Sequence, residues 1–220
     1  MKIIEATELV KKYGSAEAEV KALDRVSLEV DEGERIVITG TSGSGKSTLL
    51  NVLSALDCPD EGSVQIIGQD LYRLSRSEQA VFRRRNIGFV FQDFQLMPTL
   101  TVEENIILPQ LLDNSNVDEE YLELLLKKLG LGEKRKNYPG QLSGGQQQRA
   151  AIGRALIMRP AIILADEPTG NLDRKNSDEV LQLMQEASES FCQTILIITH
   201  DESVKEYATR CLEMEDGILR

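Results

Sequence analysis

Eight consecutive residues constrain this chain more than any others: Gly40, Thr41, Ser42, Gly43, Ser44, Gly45, Lys46 and Ser47. They follow a β-branched run, Ile36-Val37-Ile38, that reads as a buried strand. They lead into Thr48-Leu49-Leu50-Asn51-Val52-Leu53, which has the apolar spacing of a helix. A glycine loop between a strand and a helix N-terminus can turn successive backbone N–H groups onto phosphate oxygens, because glycine accepts positive φ and lets the backbone approach closely. Lys46 is then placed to reach the terminal phosphates of a nucleoside triphosphate, and the Ser47 hydroxyl to ligate Mg²⁺.

Other strand ends carry the complementary chemistry. Ile162-Ile163-Leu164-Ala165 is an apolar strand followed by Asp166 and Glu167, at the end where open parallel sheets bind ligands. Asp166 suits a Mg²⁺ ion held through its water shell, since this small, hard cation keeps most of its waters. Glu167 suits polarisation of an attacking water. The run from Ile87 to Phe91 ends at Gln92, and the run from Thr194 to Thr199 ends at His200, the one histidine of the chain. A second glycine turn, Leu142-Ser143-Gly144-Gly145-Gln146, enters a helix, so its amides and the Ser143 hydroxyl are expected to be free to bind an anion. This second nest has neither lysine nor carboxylate of its own. It can cap a nucleotide held elsewhere but cannot perform chemistry alone.

Together with Tyr13, Gln92, Asn171-Leu172-Asp173 and His200, these motifs resemble the ATP-binding subunit of an ATP-binding-cassette (ABC) transporter, over essentially all 220 residues. Phe89-Val90-Phe91-Gln92 and the stretch from Leu164 to Asp173 are similar to the branch comprising lipoprotein-release, macrolide-export and bacitracin-type peptide-resistance systems. The resemblance implies an α/β fold: a P-loop NTPase core with a parallel sheet flanked by helices, an antiparallel β subdomain and a helical subdomain. It divides a single domain, 1–220, into a nucleotide core with the β subdomain (1–92), a helical subdomain (93–159) and the rest of the core (160–220). It implies that Tyr13 stacks on adenine, that residues 40–48, from Gly40 to Thr48, hold ATP, and that Ser143, Gly144, Gly145 and Gln146 cap ATP on a second chain. Ser47, Gln92 and Asp166 are implied at Mg²⁺, Glu167, His200 and Gln92 in catalysis, and Asp173 in communication between the two sites. The implied partners are a second ABC ATPase chain, joined as a homodimer on ATP binding, and an integral membrane permease that holds the subunit at the cytosolic face. Resemblance to the branch's cell-division member implies the alternative of an ATP-driven mechanical or signalling module whose membrane partner transports nothing.

Composition fits a soluble, cytoplasmic subunit. With 41% hydrophobic residues in 220, the chain can bury roughly 70% of its unfolded surface in one sizeable core. It has no apolar run of about 18 residues, and its first residues are not expected to act as a signal peptide. A net charge of −11, with Arg83-Arg84-Arg85 as a compact basic cluster, argues against a nucleic-acid partner; those arginines read as solvated charges at a helix end or as partner contacts. A GTPase would carry an Asn-Lys-x-Asp motif, and none exists. Cys58, Cys192 and Cys211 lack metal or redox spacing and are expected to be buried, reduced thiols.

Elsewhere, Val26, Leu28 and Val30 alternate with polar residues as in a half-exposed strand, and residues 62–68 supply another. Helical character begins at Thr101 and is best at Val117, Tyr121, Leu122, Leu125, Leu126 and Leu129. Asn116 is the expected cap, and Lys127, Lys128 and Gly130 mark the end. Met214-Glu215-Asp216-Gly217-Ile218 predicts a hairpin turn.

Overall fold

The computed structural model describes residues 1–14, 19–191 and 193–220. In chain order the strands and helices are β1 (Lys2–Tyr13), β2 (Val20–Asp31), β3 (Arg35–Thr39), α1 (Lys46–Leu53), β4 (Glu61–Ile66), β5 (Gln69–Asp70), α2 (Arg76–Asn86), β6 (Ile87–Phe91), α3 (Val102–Leu112), α4 (Glu119–Lys128), α5 (Gly144–Leu156), β7 (Ile162–Asp166), α6 (Arg174–Phe191), β8 (Thr194–Thr199), β9 (Arg210–Glu215) and β10 (Ile218–Leu219). They gather into two compact units, one of Met1–Arg83 with Thr194–Arg220 and one of Arg84–Gln193.

The first unit holds two sheets. One is antiparallel, in the order β2-β1-β4-β5. Val26, Leu28 and Val30 of β2 are buried while Ser27 and Glu29 are exposed, the outcome their alternation requires. In the other sheet β3 lies between β8 and β9, parallel to both, and β10 closes a hairpin on β9. Ile36, Val37 and Ile38 are buried, as are Ile195 through Ile198, because a parallel strand covered on both faces must be apolar throughout. The hairpin turns at Asp216 and Gly217, both with positive φ, 47° and 79°. Helix α1 buries Leu49, Leu50, Val52 and Leu53.

The second unit pairs β6 with β7 in parallel and packs helices around them. Helix α3 opens with a reciprocal cap: Glu104 N–H donates to Thr101 Oγ1 at 3.3 Å, and Thr101 N–H donates to Glu104 Oε2 at 2.7 Å. Helix α4 buries Leu122, Leu125 and Leu126, one stripe at helical spacing, each contributing about 1.5–3 kcal/mol on full burial. Its cap is Asp118 rather than the expected Asn116. The Asp118 Oδ1 accepts from Tyr121 N–H at 3.0 Å, so the helix starts two residues late and Glu119 falls in its first turn. Close approach explains the small residues of α5: a Cβ on Gly153 would lie 2.8 Å from Leu129 Cδ1 and 3.0 Å from Ile106 Cδ1.

Arg84 bonds the Leu112 carbonyl at the end of α3, and Arg85 Nε donates to both oxygens of Asp113, at 3.1 and 3.0 Å. These two arginines, near the end of α2, thus secure the end of α3, where the sequence predicts solvated charges at the end of their own helix. The cysteine expectation fails on burial: Cys58 and Cys211 are free thiols but exposed, and Cys192 lies outside the described residues. Their flanking residues sit on surface loops and an alternating strand, which residue type alone does not reveal.

Candidate nucleotide-binding and hydrolysis site

The first unit presents the phosphate loop at the C-terminal end of β3. Gly45 caps α1 in the left-handed region, φ 105°, and a Cβ there would lie 2.2 Å from the Ala22 carbonyl oxygen. Gly43, φ 81°, has open space in the same direction. The buried Lys46 Nζ donates to the carbonyls of Gly40 at 2.7 Å and Thr41 at 2.8 Å, which keeps the cation inside the loop. A cationic group surrounded by a glycine loop at a helix N-terminus is a donor set for anionic oxygen, and it fits a nucleotide's phosphates. The loop is braced from β9 and the hairpin turn: Gly217 N–H donates to the Ser44 carbonyl at 2.9 Å, and a Cβ on Gly40 would lie 2.1 Å from the Met214 carbonyl oxygen. Thr39 and Thr199 are register partners in adjacent parallel strands, so Gly40 and the exposed His200 leave the sheet side by side. Tyr13, the last residue of β1, is 43% exposed and donates its hydroxyl hydrogen to Asp57 Oδ2 at 2.6 Å. Thr41, Ser42, Gly43 and Ser47 are exposed along the loop.

The second unit presents the carboxylates. Asp166 is the last residue of β7 and is in register with Phe91, the last of β6, so Glu167 and Gln92 follow at matching positions. Glu167 has φ 48°, a left-handed conformation costing a non-glycine residue about 1–2 kcal/mol, and its carbonyl accepts the Gly170 N–H at 3.0 Å in the turn that holds it. Gln92 is exposed and bonded to Asn171, whose amide also reaches Asp93. Asp173 starts α6: its Oδ1 accepts Asn176 N–H at 2.9 Å and its Oδ2 the Asn176 side-chain amide at 2.7 Å. The backbone N–H contact leads the donors that hold its carboxyl below the usual range.

Ser143 is the N-cap of α5 and closes a reciprocal box with Gln146. Its Oγ accepts Gln146 N–H at 3.3 Å, and its own N–H donates to Gln146 Oε1 at 3.0 Å. The hydroxyl oxygen is therefore engaged, not free as expected, because the sequence that builds an anion nest is also a capping box. Its O–H hydrogen is still available as a donor, and the first N–H groups of the helix have no partner within it. Gly144 and Gly145 bring this helix start close to neighbouring segments. A Cβ on Gly145 would lie 2.4 Å from Asn176 Oδ1, and one on Gly144 3.7 Å from Phe94 Cζ. Beneath them Arg154, in the last turn of α5, donates to the Phe94 carbonyl at 2.9 Å and to that of Gln95. Burial pushes the Arg154 guanidinium below its ordinary value. The contributions of Arg154 and Asp57 carry no motif in the sequence, since each acts on a partner 44 to 60 residues away.

Comparison with known proteins agrees with this geometry. The family model described as ABC transporter matches residues 23–170. The macrolide export ATP-binding/permease protein MacB of Syntrophobacter fumaroxidans is 44% identical over 100% of this chain, which spans 31% of that relative. The lipoprotein-releasing system ATP-binding protein LolD of Geobacter metallireducens is 43% identical over 98% of this chain and 96% of its own length. The dimeric post-hydrolysis structure of the ATP-binding cassette MJ0796, bound to ADP and Pi, superposes with a TM-score of 0.90 at 40% identity, covering 99% of this chain and 96% of that one. With a phosphate loop, a capped signature helix and strand-end carboxylates in the family's order, the chain belongs to the ABC transporter family, as an ATP-binding and ATP-hydrolysing cassette.

Proposed function

We propose that two copies of this chain close head to tail around two MgATP and that closure drives a separate membrane permease, in export or resistance involving a peptide, a lipoprotein or a drug. One observation carries this reading. The start of α5 is an amide nest with no acidic residue in its first turn and no lysine, whereas the loop before α1 has Lys46 inside it. A nest without chemistry of its own is useful to a nucleotide held by another copy. In this scheme residues 40–48 hold the triphosphate, Tyr13 stacks on the base, Glu167 polarises water, and His200 contacts the γ-phosphate. Ser143, Gly144, Gly145 and Gln146 cap it from the second copy, and Asp173 relays between sites. Ser47, Asp166 and Gln92 are the proposed Mg²⁺ neighbours, the ion neutralising charge on the phosphates when bound. No cluster of three or more carboxylate, histidine or cysteine side chains exists among the described residues, which suits an ion completed by phosphate and water. No helix among them is long and apolar enough to cross a membrane, so the proposed place at the cytosolic face depends on the permease.

Glu167→Gln tests the shared site. The amide keeps the shape of the carboxylate while removing the charge that polarises water, which lowers turnover by about 10²–10⁴. Light scattering should show a dimer with MgATP and a monomer with ADP or without nucleotide. Adding Ser143→Arg should restore the monomer. A Glu167→Gln variant that stays monomeric at saturating MgATP, or a double variant that still dimerises, overturns the shared-site reading.

A further inference from the structure

Tyr13 has no core to hold its ring, yet the ring is fixed at two points. Its hydroxyl hydrogen goes to Asp57 Oδ2 at 2.6 Å. Lys11 Nζ stands over the ring, 5.2 Å from its centroid, and donates to Asp57 Oδ1 at 2.9 Å and to the Cys58 carbonyl at 2.7 Å. Asp57 is itself tied to α1. The Tyr72 hydroxyl lies 2.8 Å from the Asp57 carbonyl oxygen and 2.5 Å from that of Val52, within the helix. Burial pushes the Asp57 carboxyl up, but the donors Lys11, Tyr13 and the Cys58 amide outweigh it and hold the group below its ordinary value.

We propose that Asp57 is a positioning residue for nucleobase recognition: it fixes the tip of the Tyr13 ring relative to the helix that begins at the phosphate loop. The inference rests on the reading that Tyr13 stacks on the base. An aromatic ring at a half-exposed strand end is free to turn about two bonds, and a ligand that stacks on it must freeze that rotation. Tethering the phenol at its tip removes the cost in advance. With the Lys11 ammonium over one face, the opposite face is the one left to a planar purine, and because stacking reads flatness alone, adenine and guanine should benefit alike.

The test is calorimetric titration of MgATP, MgGTP and magnesium tripolyphosphate into the full chain and four variants: Tyr13→Phe, Asp57→Ala, the double variant and Tyr13→Ala. Tyr13→Phe keeps the ring and deletes the tether. It and Asp57→Ala should each weaken both nucleotides about 3- to 10-fold, the size of one lost hydrogen bond. The double variant should be no weaker than either single one, since both remove the same contact. Tripolyphosphate, which has no base, should bind all variants as it binds the wild type. Wild-type nucleotide affinity in both single variants, alongside weak binding by Tyr13→Ala, overturns the tether while leaving base stacking intact. Losses that multiply in the double variant, or a parallel loss of tripolyphosphate binding, assign Asp57 to the architecture of α1 and also overturn it. Wild-type affinity in Tyr13→Ala removes the stacking reading and the tether together.

Discussion

Gln92 and Asn171 hold each other in both directions: Gln92 Nε2 donates to Asn171 Oδ1 at 3.3 Å, and Asn171 Nδ2 donates back to the Gln92 carbonyl at 3.1 Å. The same Nδ2 donates to Asp93 Oδ1 at 3.0 Å, so the orientation of the Gln92 side chain depends on the amide character of residue 171. Asn171→Asp keeps the acceptor and replaces the donor with a second carboxylate beside Asp93. These groups are exposed, so the expected loss is about 1 kcal/mol at pH 7, shrinking in high salt. Repulsion raises the carboxylate pKa values in the folded state, so stability should return as pH falls through them. Urea unfolding at pH 7 and pH 3.5, at low and high salt, checks this; a loss independent of both conditions would exclude the charge explanation.

Gly43 and Gly45, two of the three positive-φ glycines of the phosphate loop, should respond differently to alanine. Gly43→Ala meets no atom and carries only the strain of positive φ, about 1–2 kcal/mol. Gly45→Ala adds a Cβ 2.2 Å from the Ala22 carbonyl oxygen, a backbone atom that cannot step aside cheaply. Nucleotide titration should find Gly45→Ala nearly unable to bind while Gly43→Ala retains measurable affinity. Equal effects would show that the loop is insensitive to the β2 contact.

Phe94 and Gln95 are consecutive left-handed residues, φ 58° and 48°, and Arg154 donates to both of their carbonyls. Arg154→Met leaves those carbonyls without their charged donor and should lower stability by about 1–3 kcal/mol in urea titration. Gln95→Gly in that background should recover about 0.5–1 kcal/mol by relieving backbone strain. No recovery would mean that the turn is held by its other contacts.

Glu103 and Arg135 form a two-bond pair, Nε to Oε2 at 2.6 Å and Nη2 to Oε1 at 2.8 Å, and the guanidinium holds the carboxyl below its ordinary value of 4.5. A carboxyl depressed in the folded state stabilises the protein above its unfolded pKa and loses that contribution as pH falls through the folded one. Glu103→Gln should therefore cost about 1 kcal/mol at pH 7 and progressively less below pH 4.5, in thermal melts across that range. A constant difference between the two proteins at all pH values would assign the effect to packing.

Legibility of this chain followed the range of the interactions. β6 and β8 begin and end where their apolar runs do, because a buried parallel strand leaves a continuous signature. The phosphate loop and the glycine turn that opens α5 are equally plain, since glycine acts within a few positions of itself, whereas the cap formed by Ser143 and Gln146 is hidden in that turn. Helix α6 leaves no such signal: its opening Arg174-Lys175-Asn176-Ser177-Asp178 is polar, and the residue that starts it, Asp173, belongs to a family motif rather than to an apolar period. Asn116 and Asp118 are both competent caps, and only the helix's own contacts choose between them. Exposure of Cys58 and Cys211 was invisible for a related reason, as burial belongs to the segment and not to the thiol.

The bracing of residues 40–45 by Met214 and Gly217 sets a timetable for synthesis. The ribosome releases the loop about 170 residues before it releases the hairpin that Gly40 and Ser44 rest against. Until then the loop lacks the backbone partner that Gly217 supplies to Ser44. Nucleotide capture by the finished loop is thus deferred until Met214 and Gly217 have been made.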